Sequence, residues 1–442
     1  MAVLYLLLSV ILIILLTTKL KVHPFLALFV VALLYGFLSG MPLTTIVESI
    51  NTGFGDTLGK IGLIIIFGVI IGAFLENSGG AYKIAESILK IVGRKRVPTA
   101  MGIIGYFISI PVFADSGFIL LSPLNKSLAK KAGITLAGST VALAIGLMAT
   151  HTMVPPTPGP IAAAGILEAD LGLVMMIGLP VSALALTAGI IFARKYASRT
   201  YINPDPKIGE EEIKERMKSA PGTIKSSLPV VVPIILIVIR SLIHSQVENP
   251  ADSVGFIQFL GTPVVALLIG VLLSLTLPKK LEKSMLSTTG WVGKSLTDAA
   301  TILLITGAGG IFGKVLQNSG IADLLGETLA GVQMGIWLPF LLAAAIKTAQ
   351  GSSTVALITT ASIMMPMMVS LGFDTELEKA ITVLAIGAGS AVFSHANDSY
   401  FWVVTQMSGM DVKTGYRLHS MGSAILGIVA AIVLFFIHLI FV

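Results

Sequence analysis

One stretch of this chain occurs twice, with the second copy 241 positions after the first. Residues 68–88 read GVIIGAFLENSGGAYKIAESI, and residues 309–329 read GGIFGKVLQNSGIADLLGETL. Because the two align without a gap, we predict that the chain contains two copies of one structural unit. The identical positions are Gly68/Gly309, Ile70/Ile311, Gly72/Gly313, Leu75/Leu316, Asn77/Asn318, Ser78/Ser319, Gly79/Gly320, Ala81/Ala322 and Glu86/Glu327.

The composition places these units in a membrane. Hydrophobic residues make up 55% of the 442 residues and charged residues 12%, against roughly 25% charged in soluble domains. Apolar runs of roughly 20 residues match the thickness of a bilayer. The net charge of +6 comes from basic residues between these runs, which favours the positive-inside rule over nucleic-acid binding. The absence of cysteine excludes disulfides and thiolate metal sites.

A duplicated, polytopic chain is typical of secondary transporters, whose substrate site lies at mid-membrane and is formed by broken helices. The sequence contains no GxxxxGK[ST] phosphate loop, no HExxH motif and no other convincing metal-ligand spacing. It also lacks an arginine-rich voltage-sensing helix and a TVGYG filter. We therefore expect no cofactor and no metal. A passive channel and a membrane-embedded enzyme are weaker alternatives.

Ten apolar segments are predicted as membrane spans, and Lys and Arg concentrate in alternate loops between them. This alternation requires both termini to face outside the cytoplasm. Two further apolar stretches have both flanks on one side, and we predict that they are re-entrant hairpins that enter from opposite faces. The predicted spans are 2–18, 24–40, 60–78, 134–166, 171–193, 227–243, 261–278, 299–317, 380–406 and 421–441.

The predicted fold is therefore an all-α polytopic membrane protein with two inverted repeats. It has about 10 transmembrane helices, two re-entrant helical hairpins, and broken helices at mid-membrane. The predicted order is an extra N-terminal transmembrane helix at 1–23, repeat 1 at 24–194 with hairpin 97–125, a cytoplasmic linker and connecting helix at 195–260, and repeat 2 at 261–442 with hairpin 336–372.

Hairpin 97–125 carries a single acidic residue, Asp115, followed by Ser116 and Gly117. An ionisable group within a membrane segment is costly, so it indicates a functional site by default. The alternative is that Asp115 caps the second arm of the hairpin, because Asp-Ser-Gly is also good turn and cap chemistry. The two roles are compatible.

The segment ATHTMVPPTPGP at 149–160 must interrupt a helix, because each proline removes a backbone donor and clashes with the preceding turn. Freed backbone groups and the hydroxyls of Thr150, Thr152 and Thr157 suit a polar solute, and His151 can donate, accept or titrate. The alternative is a loop end at the outer surface, with His151 filling the interface.

In hairpin 336–372, the residues Gln350, Gly351, Ser352 and Ser353 form a small polar turn suited to presenting amides and hydroxyls. Two roles are open for Lys347, which pairs with a substrate or snorkels to the interface. We favour snorkelling.

The sequence SHANDSY contains the densest polar cluster in an apolar span. His395, Asn397, Asp398 and Ser399 are predicted to contribute to the site, and His395 matches His151 in order within its copy. The repeated Asn-Ser-Gly triplets are interpreted instead as helix stop signals, since glycine supplies the left-handed C-cap.

Five motifs closely resemble the gluconate permease (GntP) family of bacterial transporters across nearly the whole chain. They are GFGDTLGKIGLIIIFGVIIGAFLENSGGA, PVFADSGFILLSPL, ATHTMVPPTPGP, KTAQGSSTVALIT and SHANDSYFWVV. The resemblance implies uptake of gluconate or another small anionic sugar acid across the bacterial inner membrane by proton symport. It also implies the inverted repeats of the broader ion-transporter superfamily, and a homodimer as its oligomeric state.

Carried onto this chain, the resemblance places the substrate between the hairpin tips and the two helix breaks. Candidate proton carriers are Asp115, His151, His395 and Asp398, of which we favour Asp398. Related family members imply D-serine or another small hydroxy-carboxylate as an alternative substrate. Na⁺ is an alternative coupling ion, because hairpin carbonyls and Ser or Asn oxygens can also bind it.

Overall fold

The structure is a computed structural model that describes residues 2–93, 96–204, 220–244, 252–321 and 334–441. Within these ranges the chain forms helices and turns, and no strand occurs. Most of the predicted linker from 205 to 219 and the end of the second repeat copy from 322 to 329 lie outside the described residues.

The helices are numbered in chain order and vary widely in length. The α-helices are α1 (Ala2–Thr18), α2 (Pro24–Leu38), α3 (Leu43–Asn77), α4 (Gly80–Val92), α5 (Val97–Ile108), α6 (Ala114–Lys131), α7 (Leu136–Met153), α8 (Pro158–Ile166), α9 (Leu171–Lys195), α10 (Thr223–His244), α11 (Asp252–Leu260), α12 (Pro263–Ser274), α13 (Trp291–Asn318), α14 (Trp337–Gln350), α15 (Ser353–Met364), α16 (Glu376–Ala391), α17 (Ser399–Ser408), α18 (Val412–Gly415) and α19 (Met421–Phe441).

Six helical stretches in the described parts of the chain are long and apolar enough to cross a membrane. Others, such as α2 and α12, are apolar but shorter. Large apolar side chains stay exposed along α1 and α19, including Leu7, Ile11 and Phe436, as expected where a helix faces lipid rather than water. The count of ten spans stays a prediction.

Both Asn-Ser-Gly triplets end a helix, as their interpretation as stop signals predicts. Ser78 is the C-cap of α3 and Ser319 is the C-cap of α13. The glycines that follow, Gly79 and Gly320, have φ angles of 79° and 73°. A side chain would be strained in this left-handed conformation, so the repeated glycine is explained by backbone geometry.

The two predicted hairpins each contain a helix, a turn and a second helix. In the first, residues 109–113 join α5 to α6, and α6 extends six residues past the predicted end of the hairpin, to Lys131. In the second, only Gly351 and Ser352 separate α14 from α15. Gly351 has a φ of +95°, and the Ser352 hydroxyl caps α15 by accepting a hydrogen bond from Val355 N at 3.3 Å.

Two predicted spans are divided into separate helices. The span 134–166 becomes α7 and α8, because prolines occupy 155, 156 and 158 and the last of these starts α8. The span 380–406 becomes α16 and α17, separated by residues 392–398, with Asp398 as the N-cap of α17. Asp398 Oδ1 accepts a hydrogen bond from Tyr400 N at 3.0 Å.

The duplicated helices α3 and α13 pack against each other and against the breaks. A Cβ built at Gly53 would lie 2.6 Å from the Gly310 carbonyl oxygen, so α3 and α13 approach at backbone distance. On the same helix, a Cβ at Gly68 would lie 2.8 Å from the Pro156 carbonyl oxygen. A Cβ at Gly72 would collide with the Pro111 carbonyl in the turn between α5 and α6. Small residues permit these close approaches.

An ion pair joins α3 to the loop between α8 and α9. Lys60 Nζ lies 2.5 Å from Glu168 Oε1. The hydrogen bond from Lys60 holds the pKa of the Glu168 carboxyl below its ordinary value. Because both side chains are more than half exposed, the pair contributes little to stability.

Candidate functional site

A small cavity lies where the first helical hairpin, the second helical hairpin and the break between α16 and α17 meet. Its volume is about 60 Å³, and part of its wall comes from α7. Polar groups make up most of its surface. The lining residues are Ala114, Asp115, Met148, His151, Ser352, Ser353, Thr354, Asp398, Ser399 and Tyr400.

Three helices begin at this cavity. Helix α6 starts at Ala114, α15 starts at Ser353 and α17 starts at Ser399, and all three residues line the cavity. The first turn of a helix has unpaired N–H groups and the positive end of the helix dipole. Three such ends directed at one space favour a bound anion.

Asp115 lies in the first turn of α6 and does not cap that helix. The N-cap is Phe113, whereas Asp115 is the second residue of the helix. Its Oδ1 atom is buried and has no hydrogen-bond partner within the described residues. The cap proposed as the structural alternative is therefore absent, and Asp115 instead lines the cavity with one carboxylate oxygen unpaired.

His151 lies in the last turn of α7, which is buried along nearly its whole length. The ring packs 6.0 Å from the ring of Phe113, and its Nδ1 atom is buried without a hydrogen-bond partner in the described structure. The alternative of a loop end at the outer surface is therefore wrong, because the histidine belongs to the interior and lines the cavity.

Lys347 is buried within the protein and does not snorkel to an interface. The side chain is 1% exposed, and Nζ donates to Asp398 Oδ2 at 2.6 Å and to the Gly351 carbonyl. The interpretation of Lys347 as a snorkelling residue is wrong. Its charge is balanced by Asp398, because a buried ammonium needs a nearby anion and acceptors for its protons.

A second layer of polar groups supports Asp398 from behind the cavity. Ser394 Oγ donates to Asp398 Oδ2 at 2.5 Å, and His419 Nε2 lies 3.1 Å from Ser394 Oγ. His419 is fully buried within a single π-helical turn, Tyr416–Ser420, of the kind often found at functional sites. Asp398 thus has direct partners from α14, from the break and from the α17 backbone, and the turn before α19 reaches it only through Ser394.

His395 and Asn397 satisfy backbone carbonyls at the end of α14. His395 Nε2 lies 2.7 Å from the Thr348 carbonyl oxygen. Asn397 Nδ2 donates to the carbonyls of Thr348 and Ala349 at 2.9 and 3.0 Å. These carbonyls have no partner within their own helix, so the break between α16 and α17 caps the first arm of the second hairpin.

The structure brings six of the predicted site residues to the cavity and leaves the others around it. The hydroxyls of Thr150, Thr152 and Thr157 donate to backbone carbonyls of Tyr106, Met148 and Val154. The six at the cavity are Asp115, His151, Ser352, Ser353, Asp398 and Ser399. Those not lining it are Ser116, Gly117, Thr150, Thr152, Thr157, Gln350, Gly351, His395 and Asn397.

Tyr400 is the most informative lining residue that the sequence patterns did not single out. Its hydroxyl donates to the Ala144 carbonyl at 2.9 Å and so joins α17 to α7. Its position directly after the SHANDS cluster was an available signal. Ser394 also belonged to that motif, whereas His419 follows basic residues that indicated a loop.

The sequence of the whole chain is similar to those of known permeases. The model of a family described as GntP family permease matches residues 1–440. The chain belongs to the GntP permease family. It is 34% identical to a gluconate permease of Pseudomonas aeruginosa, with 98% of this chain and 97% of the relative covered. It is 33% identical to the inner membrane permease YgbN of Escherichia coli, with 95% and 94% covered.

The fold is also that of a solved transporter. The structure resembles that of the YdaH transporter of Alcanivorax borkumensis, with a TM-score of 0.68 over 94% of this chain and 98% of that chain. At 14% sequence identity this likeness shows the fold alone. Together, family, fold and apolar helices make this GntP-family member a multi-pass membrane permease and not an enzyme.

Proposed function

We propose that this permease imports gluconate or a related small sugar acid across the bacterial inner membrane by proton symport. The observation that carries the proposal is the meeting of three helix N-termini at a polar cavity. Helix N-termini bind carboxylates, and hydroxyl groups such as those of Ser352, Ser353 and Ser399 suit a polyhydroxy chain. The names of the Pseudomonas and Escherichia relatives support both the substrate class and the membrane.

The cavity is smaller than the proposed substrate needs. Its volume of about 60 Å³ is well below the roughly 300–1,000 Å³ typical of ligand pockets. The lining comes from the starts of three separate helices, α6, α15 and α17, and from α7, and not from one continuous element. We propose that substrate enters when these elements separate, as alternating access requires.

Asp115 and Asp398, the two carboxylates proposed to carry the proton, differ in their contacts. Asp398 is held by Lys347, Ser394 and the α17 backbone, all of which stabilise the ionised form. Asp115 lines the cavity, and its Oδ1 is buried with no partner among the described residues. These contacts favour Asp115 over Asp398 as the proton carrier, with His151 as a further candidate at the cavity. His395 contacts the end of α14 instead.

The topological predictions belong to the same proposal. The two inverted repeats are 24–194 and 261–442, with re-entrant hairpins at 97–125 and 336–372. Residues 1–23 and 195–260 are the additional helix and the linker region, and both termini face the periplasm. The homodimer is likewise a prediction that needs its own measurement.

Uptake into proteoliposomes tests the function directly. Purified protein is reconstituted, and a proton gradient and a sodium gradient are imposed separately in the presence of labelled gluconate, idonate, fructuronate or D-serine. We expect uphill accumulation of a sugar acid with the proton gradient alone. Accumulation with the sodium gradient alone would show that Na⁺, and not the proton, is the coupling ion. Recovery of a chemically altered solute would contradict the proposal that the protein is a transporter.

A further inference from the structure

Of the two carboxylates that line the cavity, Asp398 has a charged partner and Asp115 has none among the described residues. Lys347 and Asp398 lie 2.6 Å apart with side chains 1% and 5% exposed, so their charges cancel within the protein. Asp115 has no such partner within the described residues, and its Oδ1 is buried. With Asp115 ionised, the site therefore holds one uncompensated negative charge.

Among the described residues, the other groups around Asp115 supply no unpaired cation. His151 faces the cavity from α7, Tyr400 faces it from α17, and Ser352 to Thr354 face it from the start of α15. His419 contacts Ser394 and does not line the cavity. The positive potential at the cavity therefore comes mainly from the helix N-termini.

Asp115 already occupies this positive environment. It lies in the first turn of α6, one of the three helices that begin at the cavity. A substrate carboxylate bound among the same N-termini would meet the Asp115 carboxylate within a small space enclosed by protein. Two unpaired anions in such surroundings repel each other and lack the water that would screen them.

We propose that the Asp115 carboxylate stands in for the substrate carboxylate in the empty carrier, so that substrate binds only when a proton neutralises Asp115. One proton then crosses with each singly charged sugar acid. The empty site carries the Asp115 charge, and the loaded site carries the substrate charge with Asp115 neutral. Both forms have the same net charge, so the transport cycle is electroneutral. This inference rests on the proposed function.

The test measures how accumulation responds to pH and to membrane potential separately. Labelled gluconate uptake is followed in proteoliposomes in which a potassium gradient with valinomycin sets the potential. For the wild type we expect about tenfold accumulation per unit of pH gradient, the limit for one proton. We also expect no change in that level when an interior-positive potential is imposed.

The Asp115→Asn variant should behave in the opposite way. With no proton to carry, it moves the sugar acid as a lone anion, so a pH gradient gives no accumulation. An interior-positive potential of about 59 mV should now drive up to tenfold accumulation, because one charge crosses with each substrate. The matched control is Asp56→Asn, which removes an exposed carboxylate on α3 and should behave as the wild type.

Three results decide the inference. Wild-type accumulation that changes with potential, or proton-driven accumulation that survives in Asp115→Asn, overturns it. If Asp115→Asn is inactive, the deciding measurement is proton uptake when gluconate binds to the detergent-solubilised wild type. We expect about one proton to be taken up per substrate bound, because of the charge exchange. Binding without proton uptake would overturn the inference. Absence of sugar-acid uptake by the wild type under every gradient would instead refute the proposed function.

Discussion

Lys347 and Asp398 cancel each other's charge in a buried pair between α14 and the start of α17. Removing one partner leaves the other charge buried and alone, which typically costs about 3–5 kcal/mol. We therefore expect Lys347→Met or Asp398→Asn alone to lower the thermal stability of the detergent-solubilised protein strongly. The double variant should recover much of the loss, because a neutral pair of similar volume needs no counter-ion.

Thermal unfolding of the wild type, both single variants and the double variant forms the corresponding double-mutant cycle. Lys314→Met is the matched control, since Lys314 is half-buried and its ammonium contacts Gln317 Oε1 at 3.0 Å. We expect it to change stability by less than about 1 kcal/mol. Additive losses in the Lys347 and Asp398 cycle would contradict the charge pairing.

His419 positions Ser394, whose hydroxyl donates to Asp398. His419→Ala truncates the side chain to a methyl group, which leaves a cavity and removes a buried hydrogen-bond partner. The loss of the partner alone costs about 1–3 kcal/mol. His419→Gln keeps a side-chain donor and should recover part of the stability. Equal melting temperatures for the two variants would show that the contact with Ser394 contributes nothing.

Individual residues differed in how far the sequence could predict them. The sequence singles out Asp115 and Asp398 because a lone charge in an apolar stretch is costly, and both residues line the cavity. The partner of Asp398 was not found, because Lys347 lies 51 positions earlier on a different helix. Only packing determines that a long side chain points inward rather than to an interface. His419 was missed because a π-helical turn leaves no pattern in a single sequence.

At the scale of elements, the tip of the second hairpin meets the break between α16 and α17 at Gly351. This glycine has a left-handed φ of +95°, and a Cβ there would collide with the Asn397 carbonyl. We expect Gly351→Ala to lose stability through both backbone strain, about 1–2 kcal/mol, and this collision. Substrate exchange in proteoliposomes should fall as well, because Ser352 and Ser353 follow directly in the cavity lining.

Gly372→Ala separates these two effects. Gly372 has a similar φ of +77°, but no atom lies within 4 Å of a Cβ built there. It therefore reports the backbone strain alone. If the two alanine variants unfold at the same temperature and exchange substrate equally well, the contact between the hairpin tip and Asn397 has no role.

The matched glycines of α3 and α13 show why the repeated stretch is visible in the sequence, whereas the contacts that these glycines make are not. Gly72 packs against the turn of the first hairpin, whereas its match Gly313 has the Ser362 carbonyl 3.3 Å from a built Cβ. Each copy thus places a glycine against its own hairpin, although the hairpin sequences differ. The two stretches are thus identical at glycines that lie close to a hairpin backbone, while the sequences of the hairpin tips differ.

Because Gly72 lies against the turn of the first hairpin and Gly62 does not, we expect alanine to have different effects at these two positions of α3. Gly72→Ala forces the helix away from Pro111 and should destabilise the protein by about 1–3 kcal/mol, as overpacking does. Gly62→Ala is the control, since the nearest atom to a built Cβ is 3.8 Å away and alanine favours helix. Thermal unfolding should separate the variants in that order, and a Gly72→Ala protein as stable as the wild type would contradict the close packing.

At the scale of the whole molecule, apolar runs in the sequence predict where helices occur, but they do not predict where a helix is interrupted. The all-α class followed directly from composition and hydropathy. The spans 134–166 and 380–406 were predicted as single segments around breaks, and each is divided into two helices. Where a helix stops depends on local proline and capping chemistry, and where its ends meet depends on contacts between distant segments. The cavity residues on three such ends were therefore only partly predictable.

The orientation of the chain can be tested because it contains no cysteine. Thr44→Cys, at the exposed start of α3, lies on the predicted outer face, and Lys413→Cys, in the exposed α18, lies on the predicted cytoplasmic face. The basic cluster of Lys413 and Arg417 determines this assignment through the positive-inside rule. In intact spheroplasts, a membrane-impermeant maleimide should label Thr44→Cys at once and Lys413→Cys only after permeabilisation. The cysteine-free wild type gives the background, and the reverse labelling order would place both termini in the cytoplasm and invert every predicted span.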